Sequence, residues 1–305
     1  MILFHYVLIC LIFGTTFLAI KVGVDAGVDP LLSAGLRFFI AGLLVVVYFA
    51  IRKQFVFSFF WSKSVLLIGF CLTTMTFATL YWAEQYITSG LASVLSAFGP
   101  IMVFLLHTKT TKTNISISQG IGLLLGILGV LLISFPGLQH ELSVRWFLAA
   151  VAVVFGQFFY SIGAVHSKSF LKENPSASPF FINGVQMMIG GLFLLILSIV
   201  FERPSLSSLI LPDVQVSLLY LIVIGSIAGH GLFYSLVHKT NPVFPSTWLY
   251  VSPVIAVSLG ALLLDETLSA VTAVGAVSIL IGVFLINKHM LLSMWKTGKL
   301  LKKVE

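Results

Sequence analysis

Apolar stretches of about 20 residues recur along this 305-residue chain, and no other feature constrains its fold as strongly. A helix of that length crosses the roughly 30 Å hydrocarbon core of a bilayer. The sequence is 59% hydrophobic and 9% charged, which is too apolar for a soluble domain to bury in one core. The chain is therefore predicted to be an all-α integral membrane protein.

Turn-forming segments divide the apolar stretches into ten predicted transmembrane helices. These segments include DAGVDP at Asp25 to Pro30, ENPSASP at Glu173 to Pro179 and NP at Asn241 to Pro242. The predicted spans are Ile2–Val22, Leu31–Ile51, Ser64–Tyr86, Gly90–His107, Ser118–Phe135, Val144–Val165, Pro179–Phe201, Val214–Val237, Val243–Leu264 and Ser269–Ile286. The first is interpreted as a retained span, because no basic segment precedes it and no small-residue cleavage site follows.

The distribution of basic residues predicts the orientation. With the N-terminus inside, the inner loops and the C-terminal tail hold all of the 17 Lys and Arg residues except four. The exceptions are Lys21, Arg37, Arg145 and Arg203. Since Lys and Arg near span ends are retained on the cytoplasmic side, both termini are predicted to be cytoplasmic in a multi-pass protein of the cell membrane.

Two halves of the sequence share a pattern. Pro100 and Pro253 lie 253 − 100 = 153 residues apart, in LASVLSAFGPIMVFLL and LYVSPVIAVSLGALLL. The same offset relates Tyr81 to Tyr234, Gly122 to Gly275 and Gly129 to Gly282. Five spans in each half is an odd number, so the sequence predicts two inverted five-helix repeats, residues 1–138 and 139–287, followed by a basic cytoplasmic tail, 288–305. Inverted repeats are a recurring plan of secondary transporters, whose sites lie near the middle of the bilayer.

Three segments carry a resemblance to a known family. They are FGTTFLAIKVGV at Phe13 to Val24, LLSAGLRFFIAGLL at Leu31 to Leu44 and LYVSPVIAVSLGALLLDETLSAVTAVGAVSILIGVFLI at Leu249 to Ile286. The chain resembles the EamA-type members of the drug/metabolite transporter superfamily over nearly its whole length. The resemblance implies ten helices, cytoplasmic termini and export of small metabolites, amino acids or drugs, with sugars or nucleotide sugars carried by some relatives. One departure is Thr113, which stands where the second half has Glu266 (266 − 113 = 153).

Pro100 and Pro253 are predicted to be gating residues. A proline inside a helix removes a hydrogen bond and leaves the carbonyls of Ser96 and Leu249 short of partners, which in lipid requires protein, water or a ligand nearby. The alternative is a static kink packed by neighbouring helices.

Arg37 and Glu84 are the candidate coupling residues. Arg37 lies about 9 Å inside the outer end of its helix at ~1.5 Å per residue, and a cation there needs a partner or a nearby surface. It either snorkels to the interface, pairs with Glu84 or binds an anionic group of a substrate. Glu84 is either a solvated carboxylate in an aromatic belt or a proton-binding group shielded from water. Lys21 is interpreted as an interface anchor.

The cavity candidates are mostly neutral polar and aromatic residues. Gln157 and Tyr160, like Asn183 and Gln186, are spaced three apart and so share a helix face. With the other candidates they would form aromatic walls with a few polar anchors, as expected for a small organic ligand. The alternative for these residues is hydrogen bonding between helices. The full set is Tyr81, Gln157, Tyr160, Asn183, Gln186, His230, Trp248, Tyr250 and Ser252.

Other features have structural interpretations. Asp265 and Glu266 are predicted to stabilise the start of the following helix, and the basic tail to contact anionic lipid. Cys10 and Cys71 are interpreted as packing residues, and the sequence predicts no metal site, no cofactor and no nucleic-acid partner.

The sequence therefore predicts a secondary transporter, an exporter that moves a small organic solute by alternating access. Because a P-loop sequence is absent, ATP is not expected to drive transport directly; a proton or another ion remains a possible coupling partner. An intramembrane enzyme and a sensor that keeps the transporter fold are the alternatives, and the enzyme is disfavoured by the lack of H-E-x-x-H and G-x-S-x-G motifs. The sequence does not give the oligomeric state.

Overall fold

The structure, a computed structural model, describes residues 1–134, 143–263 and 270–301. These residues form eight helices that are long and apolar enough to cross a membrane, together with two shorter apolar helices. In chain order they are α1 (Ile2–Asp25), α2 (Pro30–Ile51), α3 (Lys63–Ala83), α4 (Ser89–Thr111), α5 (Ile117–Ser134), α6 (Val144–Glu173), α7 (Pro179–Phe201), α8 (Pro212–Lys239), α9 (Val243–Ser246 and Trp248–Leu263) and α10 (Ala270–Leu301). The prediction of a helical membrane protein is confirmed.

The helix bounds follow the predicted spans closely, with two extensions. Helix α6 continues eight residues past Val165 to Glu173, and α10 continues to Leu301. Residues 288–301, predicted as part of a separate tail, therefore continue the last helix. Asp265 and Glu266 lie outside the described residues.

The outer surface of the helix bundle is apolar. Phe4, Leu18 and Phe201 expose 69%, 61% and 74% of their surface, while the polar side chains of Thr73, Asn183 and similar residues are buried. A soluble protein rarely exposes so much contiguous apolar surface, whereas in a bilayer these side chains contact lipid. The described helices are thus packed with their polar residues inward.

Irregular segments occur at corresponding places in the two halves. Short 3₁₀ helices, Phe57–Trp61 and Leu206–Ile210, follow α2 and α7, at an offset of 206 − 57 = 149 residues. Segments of π-helix, Gly69–Met75 in α3 and Leu221–His230 in α8, overlap at the offset of 153. In α3 the hydroxyl of Thr76 donates to the carbonyl of Cys71, five residues back, at 2.8 Å, a spacing that matches the wider π turn.

Several helix pairs, among them α5 with α10 and α2 with α7, cross with their backbones in close contact because glycines occupy the crossings. A Cβ atom on Gly122 of α5 would lie 2.7 Å from the carbonyl oxygen of Gly282 in α10, and one on Gly129 would lie 2.6 Å from that of Gly275. At the crossing of α2 with α7, Gly42 of α2 meets the backbone of α7 at Met188. Any larger residue would push the helices apart, so these glycines set the helix positions.

The two central prolines occupy different local structures. Helix α4 is interrupted at Ala97 and Phe98, and Pro100 lies in the first turn of its second part, where a proline costs no hydrogen bond. Pro253 lies inside the continuous part of α9. The matched prolines therefore affect their helices differently.

Candidate functional site

A cavity lies between helices of both halves, lined from α1, α2, α3, α4, α6, α8 and α9. Its walls combine aromatic rings, aliphatic side chains and a few polar groups. The lining residues are Phe13, Thr16, Phe17, Ile20, Arg37, Leu72, Thr76, Phe77, Leu80, Ser96, Gln157, Tyr160, His230, Phe233, Trp248 and Leu249. An apolar cavity with few converging polar groups is the usual form of a small-molecule site.

The cavity is narrow in this conformation. The volume open to the centres of water-sized molecules is about 40 Å³, although the space not filled by atoms, with adjoining open solvent included, is about 550 Å³. One water needs roughly 10–15 Å³ by the first measure, so a few waters fit. An organic solute requires the walls to move apart.

Arg37 is the one charged residue among the described lining residues of this cavity, and it is 1% exposed. Its Nε donates to the hydroxyl of Ser226 at 2.9 Å and its Nη1 to that of Tyr81 at 3.2 Å. The guanidinium carbon lies 4.5 Å from the ring centre of Phe38 and 5.2 Å from that of Phe77. Among the described residues, no carboxylate oxygen lies within 4.0 Å of it. Arg37 is therefore buried in the protein instead of reaching the membrane surface.

His230 lies beside Arg37 in the cavity wall, in the π segment of α8. Its ring centre is 5.1 Å from Phe13, 5.5 Å from Phe38 and 5.7 Å from Phe77. Gly229 permits this approach, since a Cβ atom there would lie 2.6 Å from the ring of Phe13. The imidazole is thus held in an aromatic cluster that joins α1, α2, α3 and α8.

Four polar groups of the cavity wall make no hydrogen bond within the described part of the chain. They are Gln157 Oε1, Ser96 Oγ, Tyr160 OH and Trp248 Nε1. Tyr160 and Trp248 are neighbours, but the distance and angle between their polar atoms do not meet the criteria for a hydrogen bond. Buried polar groups are normally paired, so these atoms are available to water or a ligand.

The interruption of α4 brings its backbone close to the side-chain oxygen of Gln157. A Cβ atom on Gly99 would lie 2.5 Å from Gln157 Oε1 and 2.7 Å from Leu249 Cδ1. Gly99 precedes Pro100, so the chain around this proline packs directly against the cavity wall.

The structure thus brings together Arg37 and four of the predicted cavity residues: Gln157, Tyr160, His230 and Trp248. The other five lie away from the cavity lining. Asn183 and Gln186 form a cluster in which Gln186 Nε2 donates to Asn183 Oδ1 at 3.0 Å and Thr73 donates to Gln186 Oε1 at 2.7 Å.

Tyr81 lies behind Arg37 as its hydrogen-bond acceptor. The ring of Tyr250 packs against Gly126 of α5, and its hydroxyl has no partner among the described residues. Ser252 is buried, with 1% of its surface exposed, and is not among the described lining residues of the cavity.

Glu84 follows the last residue of α3 and is completely buried. Both carboxylate oxygens lack a hydrogen-bond partner in the described residues. Lys21 Nζ donates to the backbone carbonyl of Glu84 at 2.8 Å and forms an ion pair with Asp25, also at 2.8 Å. The ammonium group nearest to Glu84 therefore pairs with another acid.

Several lining residues were not identified from the sequence. On α1, Phe13, Thr16, Phe17 and Ile20 lie at i, i+3, i+4 and i+7, which places them on one helix face. This spacing can be recognised in the sequence. In an apolar chain, however, it does not distinguish a helix face that lines a cavity from one that contacts lipid.

A second, polar cavity lies at one end of the bundle, where α4, α5, α9 and α10 meet. Its volume by the water-sized measure is about 240 Å³, and it is lined by Phe104, His107, Thr108, Thr113, Asn114, Gln119, Asn241, Val243, Ile286, Asn287 and His289. Within the described ranges, no group of three His, Cys, Asp or Glu side chains converges as a metal site.

The sequence is similar to those of proteins named as transporters. The chain is 27% identical over 294 residues to an inner membrane transporter of Escherichia coli K12 named YedA and described as uncharacterized, with 92% of this chain and 89% of the relative covered. It is 28% identical over 292 residues to a probable amino-acid metabolite efflux pump of Salmonella typhimurium, with 92% and 93% covered. One solved crystal structure superposes with a TM-score of 0.72 over 93% of this chain and 96% of the other, at 15% identity, which is a likeness of fold.

The family comparison covers both halves. Residues 1–135 and 147–288 each match the EamA-like transporter family. Because the match extends over most of the chain, this chain belongs to the EamA-like transporter family.

Proposed function

We propose that the protein is a secondary transporter that exports a small organic solute by alternating access around the cavity between its halves. The observation that carries this proposal is the cavity itself, which is internal, lined from both halves and bears polar groups without partners. The direction of export is supported by the name of the Salmonella relative.

The proposal includes ten membrane helices arranged as two inverted five-helix repeats. Its support is the reciprocal contact of α5 and α10. Gly122 contacts Gly282, which is Gly129 plus 153, and Gly129 contacts Gly275, which is Gly122 plus 153. Each glycine thus meets the repeat equivalent of the other, as a two-fold relation between repeats requires. The hydroxyl of Ser278 donates to the carbonyl of Leu125, its own equivalent, at 2.9 Å.

Alternating access is supported by the separation of two cavities along α4. Ser96 lines the central cavity and Phe104 lines the polar end cavity, eight residues or about 12 Å further along α4. Gly99, Pro100 and Val103 of α4 are buried and lie between these two positions, and we propose that a solute passes only if the helices separate. We place the moving parts at the π segments and at the helices that carry Pro100 and Pro253, because irregular segments form fewer regular backbone bonds.

The experiment begins with cells that do or do not produce the protein, whose metabolites are compared inside and outside. The expected result is a small organic solute that is enriched outside and depleted inside. Purified protein in liposomes should then move that solute without chemical change. Formation of a product would favour the intramembrane enzyme, and binding without flux would favour a sensor.

We further propose that Glu84 binds the coupling proton. A buried carboxyl group without hydrogen-bond donors is costly as an anion, so the neutral acid is the favoured form and binds a proton. Glu84→Gln should keep the protein folded and able to bind solute but should abolish flux driven by a pH gradient, measured in liposomes with a gradient imposed.

Glu202 provides the matched control. Its carboxylate accepts hydrogen bonds from the backbone nitrogens of Leu31 and Leu32, at 2.7 and 3.1 Å, and from Ser198 at 2.8 Å, which is a structural role at the start of α2. Glu202→Gln should lower thermal stability and leave the gradient dependence intact. Unchanged gradient dependence in Glu84→Gln would remove Glu84 from the coupling mechanism.

A further inference from the structure

We propose that the transported solute is a small organic monoanion whose carboxylate is bound by Arg37 inside the cavity. This inference rests on the proposed transport function and specifies the substrate class of the same cavity. It depends on the charge balance of the cavity, on the free donors of the guanidinium group and on the composition of the remaining wall.

The cavity wall carries a positive charge that is not balanced by an acid. Arg37 is 1% exposed, and its partners within the described residues are the neutral hydroxyls of Ser226 and Tyr81. A buried cation is normally paired, because leaving water costs it several kcal/mol. No Asp, Glu or Lys is among the described lining residues. Glu84 interacts with Arg37 electrostatically but lies outside the lining and forms no ion pair with it, and as the proposed proton-binding group it is neutral. The described wall therefore carries one positive charge without an acidic partner. A solute with one negative charge would neutralise it, whereas a dianion would leave an excess of charge.

The guanidinium group is fixed and still has donors. Two of its five N–H groups are used in the bonds to Ser226 and Tyr81, which join α2 to α8 and α3. The planar group also lies near the rings of Phe38 and Phe77. An arginine that is held in one orientation with free N–H groups can bind a carboxylate through two parallel hydrogen bonds.

The rest of the wall fits the organic part of such a solute. Trp248, Tyr160 and Phe233 supply aromatic surface, and Gln157 Oε1 and Ser96 Oγ are polar atoms without partners. Besides Arg37, the titratable lining residues are Tyr160 and His230, and the imidazole is packed against aromatic rings. The cavity therefore has one anion-binding end and a largely apolar remainder.

The test compares solutes that differ only in charge. Purified protein is heated with matched sets of a carboxylate, its amide and the corresponding amine: butyrate, butyramide and butylamine, then 3-phenylpropionate, 3-phenylpropionamide and 3-phenylpropylamine. A ligand that binds the folded state raises its unfolding temperature. The carboxylate of at least one set should raise the midpoint in a concentration-dependent way, and the amide and amine of that set should not.

Arg37 on α2 and Arg52, the residue that follows α2, provide matched variants. Arg37→Gln should weaken carboxylate binding at least about tenfold, while Arg52→Gln, which removes the same charge from an exposed position just after α2, should leave it unchanged. Arg37→Lys keeps the charge but loses the planar pair of donors and should give an intermediate affinity. If Arg37→Gln does not fold, the comparison of carboxylate, amide and amine with the wild-type protein still tests the substrate class.

The outcomes are separable. If an amine or a neutral amide binds and moves through liposomes while no carboxylate does, the substrate class is wrong and transport stands. If carboxylates bind equally to wild type and to folded Arg37→Gln, Arg37 is not their site and the inference fails. If no solute of any class, including metabolites extracted from the producing cells, binds or moves, the transport function itself fails and the inference with it.

Discussion

The glycine crossings and the central cavity represent two opposite solutions to packing in one bundle. At the crossings of α5 with α10 and of α2 with α7, backbone atoms meet so closely that a single Cβ atom does not fit. In the cavity, side chains converge but leave space and polar atoms without partners. The crossings therefore fix where the helices lie, and the cavity contains several unsatisfied polar groups, which is typical of functional sites.

If this division is correct, substitutions at the crossings change stability most, and substitutions in the cavity change transport at little cost in stability. The largest expected effect is at Gly122. Gly122→Ala places a Cβ atom 2.7 Å from a backbone carbonyl that has no side-chain freedom to move, so we expect a loss of about 1–3 kcal/mol or more in the free energy of unfolding. Thermal unfolding in detergent measures it.

Gly120, two residues earlier on the same helix, is the control because a Cβ atom there has no neighbour within 4 Å. Gly120→Ala should be neutral or stabilise by up to about 1 kcal/mol, since alanine favours the helix. Equal midpoints for the two variants would show that the crossing is not tightly packed.

Two buried glutamines give the next largest contrast. Gln186→Met would leave the hydroxyl of Thr73 and the amide oxygen of Asn183 without their partner, at a cost of about 1–3 kcal/mol. Gln157→Met removes a group that has an unpaired oxygen, so stability should be unchanged or higher while the transport rate falls. Paired unfolding and flux assays test this, and a large loss of stability in Gln157→Met would contradict the comparison.

The smallest expected difference separates two tyrosines at equivalent positions of the halves. Tyr81→Phe removes an acceptor of Arg37 and should cost about 1–2 kcal/mol, near the lower end for a hydrogen bond to a charged group because the bond is 3.2 Å long. Tyr234→Phe removes a hydroxyl without a partner among the described residues and should be neutral or stabilising. Carboxylate affinity should also fall in Tyr81→Phe alone. Indistinguishable variants would mean that Tyr81 does not hold Arg37.

The helix positions could largely be predicted from the sequence, whereas the residues of the site could be predicted only in part. Spans such as Ile2–Val22 and Pro179–Phe201 were located to within a few residues because hydrophobicity and turn residues are local properties. The π segments were not visible, since their register depends on packing and on hydroxyl bonds such as that of Thr76. Among the polar candidates, Gln157 and Gln186 looked alike in sequence, yet one lines the cavity and the other joins two helices.

The sequence by itself determined the membrane class, the approximate helix bounds and the family, because each depends on composition and order along the chain. Only the tertiary structure decided that Arg37 has hydroxyl partners, that Glu84 is buried without one and that four polar groups share a cavity with Arg37. The physical reason is that the role of a polar side chain in a membrane helix depends on its hydrogen-bond partner. That partner lies on another helix, such as Ser226 for Arg37, 189 residues away along the chain.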